Sequence, residues 1–268
     1  MVTNPSNAPL AGRRILVSRP EPKATQTCRA LEQVGARTQA LPLIAIQPRT
    51  LDGRERSLIQ ELDNFQKVVA VSPNAAHLLM EQADEWWPQW PVGLEWWGPG
   101  EGTARVFSEA GVPGQAPAGG HNSEALLNCT AFQPEAVADQ KILVARGEQG
   151  RELLLRTLTQ RGARVEVLPL YARTAVEWPQ AGIQDRLVSF DPDTVLALSG
   201  ETLKHLLEVG QNTDTKLRQR CLVVPAERVA QQARDAGFRD VRVALAMSPD
   251  GLIDACMASS SMRSNGHS

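Results

Sequence analysis

One half of this chain is written over again in the other. Ile15-Leu16-Val17-Ser18-Arg19-Pro20-Glu21 returns as Ile142-Leu143-Val144-Ala145-Arg146-Gly147-Glu148, 127 positions later. The match runs without a gap through Gly35-Ala36-Arg37 against Gly162-Ala163-Arg164 and closes with Leu41-Pro42-Leu43 against Leu168-Pro169-Leu170. The same shift sets Val68-Val69-Ala70-Val71-Ser72 over Val195-Leu196-Ala197-Leu198-Ser199. After a slip of one, Glu109-Ala110-Gly111 lies over Asp235-Ala236-Gly237. Solenoid repeats run to roughly 20–50 residues, so a period this long means duplication of a domain-sized unit. A chain of 268 residues is long enough for two such units, each with its own core.

The elements alternate. Residues 15–18, 68–71, 96–97, 142–145, 194–198 and 222–224 are short, apolar runs that read as buried strands. Helical patterns follow at about 24–34, 53–63, 74–83, 101–110, 123–131, 149–161, 200–209, 226–236 and 249–258. Gly35, Gly111, Gly162, Gly210 and Gly237 are read as their stops. Strand then helix, repeated, implies parallel sheets with right-handed crossovers. Leu41 to Arg49 and its copy Leu168 to Thr174 break the pattern, each with an extended Leu-Pro-Leu start and then a polar, irregular stretch. They read as connectors. If both cross between lobes, the first strand-helix-strand of each half packs with the remainder of the other half; a plain tandem arrangement fits the residues as well.

Charge and composition exclude several classes. The net charge is −2, so nothing favours nucleic acid or an anionic membrane as a global partner. No apolar run approaches the roughly 18 residues that span a bilayer, and Met1 to Pro9 is polar, so the expectation is a soluble, cytoplasmic protein with a disordered tail at 259–268. Cys28, Cys129, Cys221 and Cys256 form no Cys-x-x-Cys pair and read as buried free thiols. His77, His121, His205 and His267 lack ligand spacing, and no metal site is expected. Trp86, Trp87, Trp90, Trp96 and Trp97 could wall a flat ligand, but a loop and strand whose indoles pack on neighbouring helices is the better reading.

In an open parallel sheet, ligands sit at the carboxyl ends of strands, where helix N-termini present free N–H groups. Four segments qualify: Ser18-Arg19-Pro20, Ser72-Pro73-Asn74, Ala145-Arg146-Gly147-Glu148 and Ser199-Gly200-Glu201. Ser72 and Ser199 suit helix caps, and Arg19 and Arg146 suit carboxylates or phosphates. The glycines at 98, 100 and 102 do not match a dinucleotide fingerprint, because the third comes one residue early and no acidic residue ends a following strand. A two-lobed binding protein that closes on an anion by hinge motion accounts for these loops equally well.

The paired Ile-Leu-Val-Ser/Ala-Arg starts, the Gly-Ala-Arg…Leu-Pro-Leu endings, Val-Ser-Pro-Asn-Ala at 71–75, Gly-Glu-Gly-Thr-Ala at 100–104 and Leu-Pro-Leu-Tyr at 168–171 resemble the uroporphyrinogen-III synthase family. The likeness covers roughly residues 13 to 256. It implies an α/β fold of two flavodoxin-like parallel-sheet lobes joined by a two-stranded connector. Domain one would be 1–40 plus 175–258, domain two 48–167, and the connector strands 41–47 and 168–174. It implies a cofactor-free lyase of tetrapyrrole and heme biosynthesis that cyclises linear hydroxymethylbilane with inversion of its last pyrrole ring. The substrate carries eight carboxylates, and the implied contacts are Arg19, Ser72, Thr103, Arg146, Ser199 and Gly200. Loss of the terminal hydroxyl needs a proton donor, for which the resemblance points to Tyr171, the one tyrosine of the chain. It also implies a monomer and a transient hand-over of substrate from hydroxymethylbilane synthase.

Overall fold

The computed structural model describes residues 8–120, 122–150, 152–211, 213 and 216–258. The expected disordered tail at 259–268 lies outside the described residues, as do His121 and His267.

In chain order the strands are β1 (Arg14–Val17), β2 (Arg37–Ala40), β3 (Ile44–Pro48), β4 (Lys67–Ala70), β5 (Glu95–Trp97), β6 (Gly114–Gln115), β7 (Lys141–Gly147), β8 (Arg164–Ala175), β9 (Thr194–Leu196), β10 (Cys221–Val224) and β11 (Asp240–Val243). The α-helices are α1 (Lys23–Gln33), α2 (Gly53–Gln60), α3 (Pro73–Asp84), α4 (Glu101–Glu109), α5 (Ser123–Asn128), α6 (Pro134–Val137), α7 (Leu153–Gln160), α8 (Gln180–Gln184), α9 (Gly200–Gly210), α10 (Glu227–Asp235) and α11 (Pro249–Met257). Residues up to Ile46 and from Thr174 onward form one compact unit, unit 1, and Gln47–Arg173 form unit 2.

Unit 1 carries a five-stranded sheet in the order β11-β10-β9-β1-β2, every neighbouring pair parallel. Its apolar residues alternate between faces, as side chains on strands must. Leu16, Val195, Leu222 and Val224 join one core with Leu203 and Leu206 of α9 and Val229, Ala230 and Ala233 of α10. Ile15, Val17, Leu196, Cys221 and Val223 join a second core with Ala24 and Leu31 of α1 and Leu252, Ala255 and Cys256 of α11. Helices thus cover both faces, which is why the three central strands β1, β9 and β10 are buried and nearly all apolar.

Unit 2 repeats the plan with β8-β7-β4-β5-β6, again parallel. By the repeat, β7, β8, β4, β5 and β6 correspond to β1, β2, β9, β10 and β11, so both sheets have one strand order. β3 is added at the edge beside β8. Arg49 N–H donates to the Leu170 carbonyl at 2.9 Å and Val176 N–H to the Leu43 carbonyl at 3.0 Å, rising numbers against falling, so this pair is antiparallel. The segments expected to be irregular are therefore regular: β8 runs through all 12 residues from Arg164 to Ala175. Pairing supplies hydrogen bonds that polar side chains alone do not signal.

Local chemistry accounts for the ends of the helices. Asp52 and Glu55 form a reciprocal capping box on α2, and Ser72 and Ser199 cap α3 and α9 through their hydroxyls. Gly35, Gly111, Gly162 and Gly237 end helices with positive φ. Gly210 does not: it is the last residue of α9, and a Cβ there would meet Leu217 Cδ2 at 2.3 Å, so it is small for packing. Of the five tryptophans between 86 and 97, Trp86 is exposed and the other four pack inward. Trp96 lies against Phe107 and Trp97 against Phe132, at 5.3 and 5.1 Å between ring centres, while Trp87 and Trp90 donate to the carbonyls of Ile59 and Ala110.

The four cysteines are free, and only Cys221 and Cys256 are buried; Cys28 and Cys129, expected to be buried too, are partly exposed. Desolvation pushes the thiol of Cys221 up to about 12 and that of Cys256 up to about 11. At pH 8 the thiolate fractions are then on the order of 10⁻⁴ and 10⁻³, and the thiolate is the reactive form. A maleimide label counted by mass spectrometry is expected on Cys28 and Cys129 first, reaching Cys221 and Cys256 only in denaturant. Four labels at one rate in the native protein would contradict this.

A candidate active site at the strand ends of unit 2

β4 and β7 are adjacent and parallel, and the chain leaves them in opposite directions across the sheet: β4 toward β5, β7 toward β8. This is the switch point of an open α/β sheet, where the loops diverge and leave a crevice. A pocket of about 300 Å³ lies there, lined by Ser72, Ser123, Arg146, Gly147, Gln149, Gly150, Tyr171 and Arg173 among others.

Each side chain is set by its element. Ser72 ends β4 and begins α3; its Oγ accepts the Ala75 N–H at 3.2 Å and lies 3.2 Å from the Tyr171 hydroxyl. With one lone pair committed to the cap, the Ser72 hydroxyl still has a proton to give and a lone pair to offer the phenol. Tyr171 is 4% exposed, on β8, where a bulge between Arg146 and Gly147 brings Gly147 opposite it. A Cβ on Gly147 would come 2.8 Å from Tyr171 Cε2, so glycine is needed for the ring to lie where it does. Glu148 N–H donates to the Tyr171 carbonyl at 2.8 Å.

Arg146 is 6% exposed, yet it is a charged group bordering the pocket. Its Nε donates to the Gly147 carbonyl at 3.1 Å and its Nη1 to Glu152 at 3.0 Å, a carboxylate that is itself mostly exposed. Gly150 makes room for it, since a Cβ there would approach Arg146 Nη2 to 3.1 Å. This loop displaces the predicted start of the helix from 149 to Leu153.

Of the residues expected in the site, the structure brings Ser72, Arg146 and Tyr171 together. Arg19, Ser199 and Gly200 occupy the corresponding strand ends of unit 1, after β1 and β9. The Arg19 guanidinium donates to the buried Thr27 hydroxyl at 3.0 Å, and burial lowers its pKa. Ser199 Oγ accepts from Thr202 N–H at 2.9 Å and meets its hydroxyl at 2.8 Å. A Cβ on Gly200 would meet Gln232 Oε1 at 3.0 Å. Thr103 is 3% exposed and does not line the pocket; it packs beneath Gly98, where a Cβ would fall 2.5 Å from Thr103 Cβ.

Ser123, Gln149, Gly150 and Arg173 were not anticipated. Arg173 had a signal, since it stands two positions beyond Tyr171 and a strand returns to the same face every second residue. Gln149 and Gly150 were hidden inside a helix read too long. Among the described residues no group of three or more His, Cys, Asp or Glu could hold a metal, and no helix is long and apolar enough to cross a membrane.

Two parallel sheets of one order, each with a serine-capped helix and an arginine at adjoining strand ends, define a duplicated flavodoxin-like α/β protein. The family model described as uroporphyrinogen-III synthase HemD matches residues 25–254. The chain belongs to the uroporphyrinogen-III synthase family, whose members are cyclising lyases of tetrapyrrole biosynthesis acting on hydroxymethylbilane. It is 31% identical over 249 residues to the uroporphyrinogen-III synthase of Salmonella typhimurium, covering 90% of this chain and 98% of that one. Identity to the Escherichia coli uroporphyrinogen-III synthase is 31% over 250 residues, with the same coverage. Two solved structures share the fold. They are a mutant uroporphyrinogen III synthase from Thermus thermophilus, with TM-score 0.58, 17% identity and coverage of 90% of this chain and 96% of that one, and the uroporphyrinogen-III synthetase of Helicobacter pylori, with TM-score 0.59, 12% identity and coverage of 91% and 98%.

Proposed function

We propose that this chain closes hydroxymethylbilane to uroporphyrinogen III with inversion of the last ring, and that Tyr171 donates the proton on which the terminal hydroxyl leaves as water. The observation that carries this reading is the Tyr171 hydroxyl, held 3.2 Å from Ser72 at the switch-point pocket. A proton donor placed against a leaving hydroxyl speeds its loss. The cation so formed is attacked by the substituted carbon of the last ring, giving the spirocyclic intermediate; this rearranges to the inverted product, and the proton lost from the ring's unsubstituted carbon as that carbon is joined restores the Tyr171 phenol.

In this reading Arg146 binds a substrate carboxylate in place of Glu152. The exchange keeps the buried guanidinium paired, since one carboxylate replaces another and the mostly exposed Glu152 returns to water. Ser72 orients the phenol, and Arg19, Ser199 and Gly200 supply further carboxylate contacts. Thr103 supports the start of α4 from beneath. The free bilane closes on its own to the uninverted isomer, so most of the catalysis is positioning. Cytoplasmic location, a monomeric state and a transient hand-over from hydroxymethylbilane synthase belong to the same proposal.

The experiment is to generate hydroxymethylbilane in situ with the purified protein and to separate the oxidised products into uroporphyrins I and III. Type III is expected to dominate and to vanish without protein. Type I alone, at the spontaneous rate, would reject the reading.

A further inference from the structure

Arg49 follows β3 directly and joins three parts of unit 2. Its Nη1 donates to Glu55 Oε1 at 2.9 Å and to the Pro169 carbonyl at 2.5 Å, and its Nε lies 2.6 Å from Glu148 Oε1. Its backbone N–H donates to the Leu170 carbonyl at 2.9 Å. Glu55 is itself fixed: its second carboxylate oxygen accepts the Asp52 N–H at 2.9 Å, and its own N–H donates to Asp52 Oδ1 at 2.8 Å. The guanidinium is therefore anchored on the capping box of α2.

What it grips matters more. Pro169 and Leu170 immediately precede Tyr171, and Glu148 donates its N–H to the Tyr171 carbonyl. The bulge interrupts regular pairing between β7 and β8 at this point, so the ladder alone does not fix the two strand ends against each other. The Arg49 to Glu148 pair bridges that interruption. Tyr171 also has little tolerance for movement. Its ring lies against Gly147 with no room for a methyl group, and its 3.2 Å contact with Ser72 is already at the long end for two hydroxyls. The bond to Glu55 is the largest cause raising the pKa of Arg49, so the charge on the clasp does not titrate in use.

We infer that Arg49 is a positioning residue for the Tyr171 phenol: through Pro169, Leu170 and Glu148 it sets where the hydroxyl stands at the pocket, without lining the pocket itself. This deepens the proposed role of Tyr171 and rests on it. Because Tyr171 is the sole tyrosine, a ring-labelled ¹³C-tyrosine gives one resonance, which reports the phenol independently of turnover. The variants are Arg49→Gln, Arg49→Lys and, as a control in the first turn of α2, Arg54→Gln, which removes a 2.9 Å bridge from an exposed side chain to Glu166.

In folded Arg49→Gln, checked by its melting curve, the resonance moves and kcat falls roughly tenfold or more, with KM within about twofold, as expected when a reacting group is misplaced. Arg49→Lys recovers part of both changes, Arg54→Gln leaves both as they were, and adding Arg49→Gln to Tyr171→Phe lowers kcat no further. An unmoved resonance, or an undiminished loss of kcat on top of Tyr171→Phe, overturns the inference. Should Arg49→Gln fail to fold, an unmoved resonance in Arg49→Lys overturns it equally. A moved resonance with full kcat in both Arg49→Gln and Tyr171→Phe upholds the positioning and sinks the proton-donor reading instead.

Discussion

Tyr171→Phe is expected to lower kcat by about 10²- to 10⁴-fold, the range a positioned proton donor supplies, with KM little changed. The fold should survive. The substitution removes one oxygen and keeps the ring against Gly147, and Ser72 still caps α3 through Ala75. The isomer ratio gives a second readout, because slow enzymatic closure lets the spontaneous route compete and the type III share drops. Rate and isomer ratio are measured together in the in situ bilane assay. A kcat within about threefold of the parent would remove Tyr171 from the chemistry, since no general acid acts with so small an effect.

Phe132→Ala is expected to cost about 3–5 kcal/mol, the usual loss for a buried aromatic side chain, which is a large part of a typical total of roughly 5–15 kcal/mol. Phe132 is fully buried, meets Trp97 edge-on, and belongs to the core that also holds Leu154 and Leu158 of α7. That core lies under the pocket, to which Leu154 also contributes. Five of the six tryptophans are in unit 2, so fluorescence-detected denaturation follows that unit and gives a usable midpoint even if unit 1 unfolds separately. A loss below about 1.5 kcal/mol would mean that the site collapses around the deletion, contrary to the close packing described.

The strands after which ligands bind were legible because burial on both faces leaves continuous apolar runs: Ile15 to Val17 and Ile142 to Ala145 need no tertiary information. So were Ser72 and Ser199, since a hydroxyl at a strand-to-helix turn has few other uses. β6 and β11 were not read as strands, and β3 was implied only by the resemblance to the family. Gly114-Gln115 is too short and too polar to register, and it depends on Trp96 and Trp97 for its pairing. Which of the two layouts the halves adopt was also open, because pairing of β1 with β9, Ile15 opposite Thr194, is a contact between residues far apart in sequence that leaves no local mark. Within the site, Tyr171 and Arg146 came from motif and repeat. Gly147, Gly150 and Arg49 are set by a bulge and by close approaches that exist only once β7, β8 and α2 meet.

The order of strands along the chain has a kinetic side. Unit 2 is one uninterrupted stretch, Gln47–Arg173, whereas β1 and β2 must find β9 long after they leave the ribosome. During synthesis unit 2 can reach its native pairing while β1, paired with β2 on one side, has no native neighbour on the other. Residues 8 to 46 are therefore the part of the nascent chain most exposed to chaperones and to misassociation, and the sheet of unit 1 is the last to close.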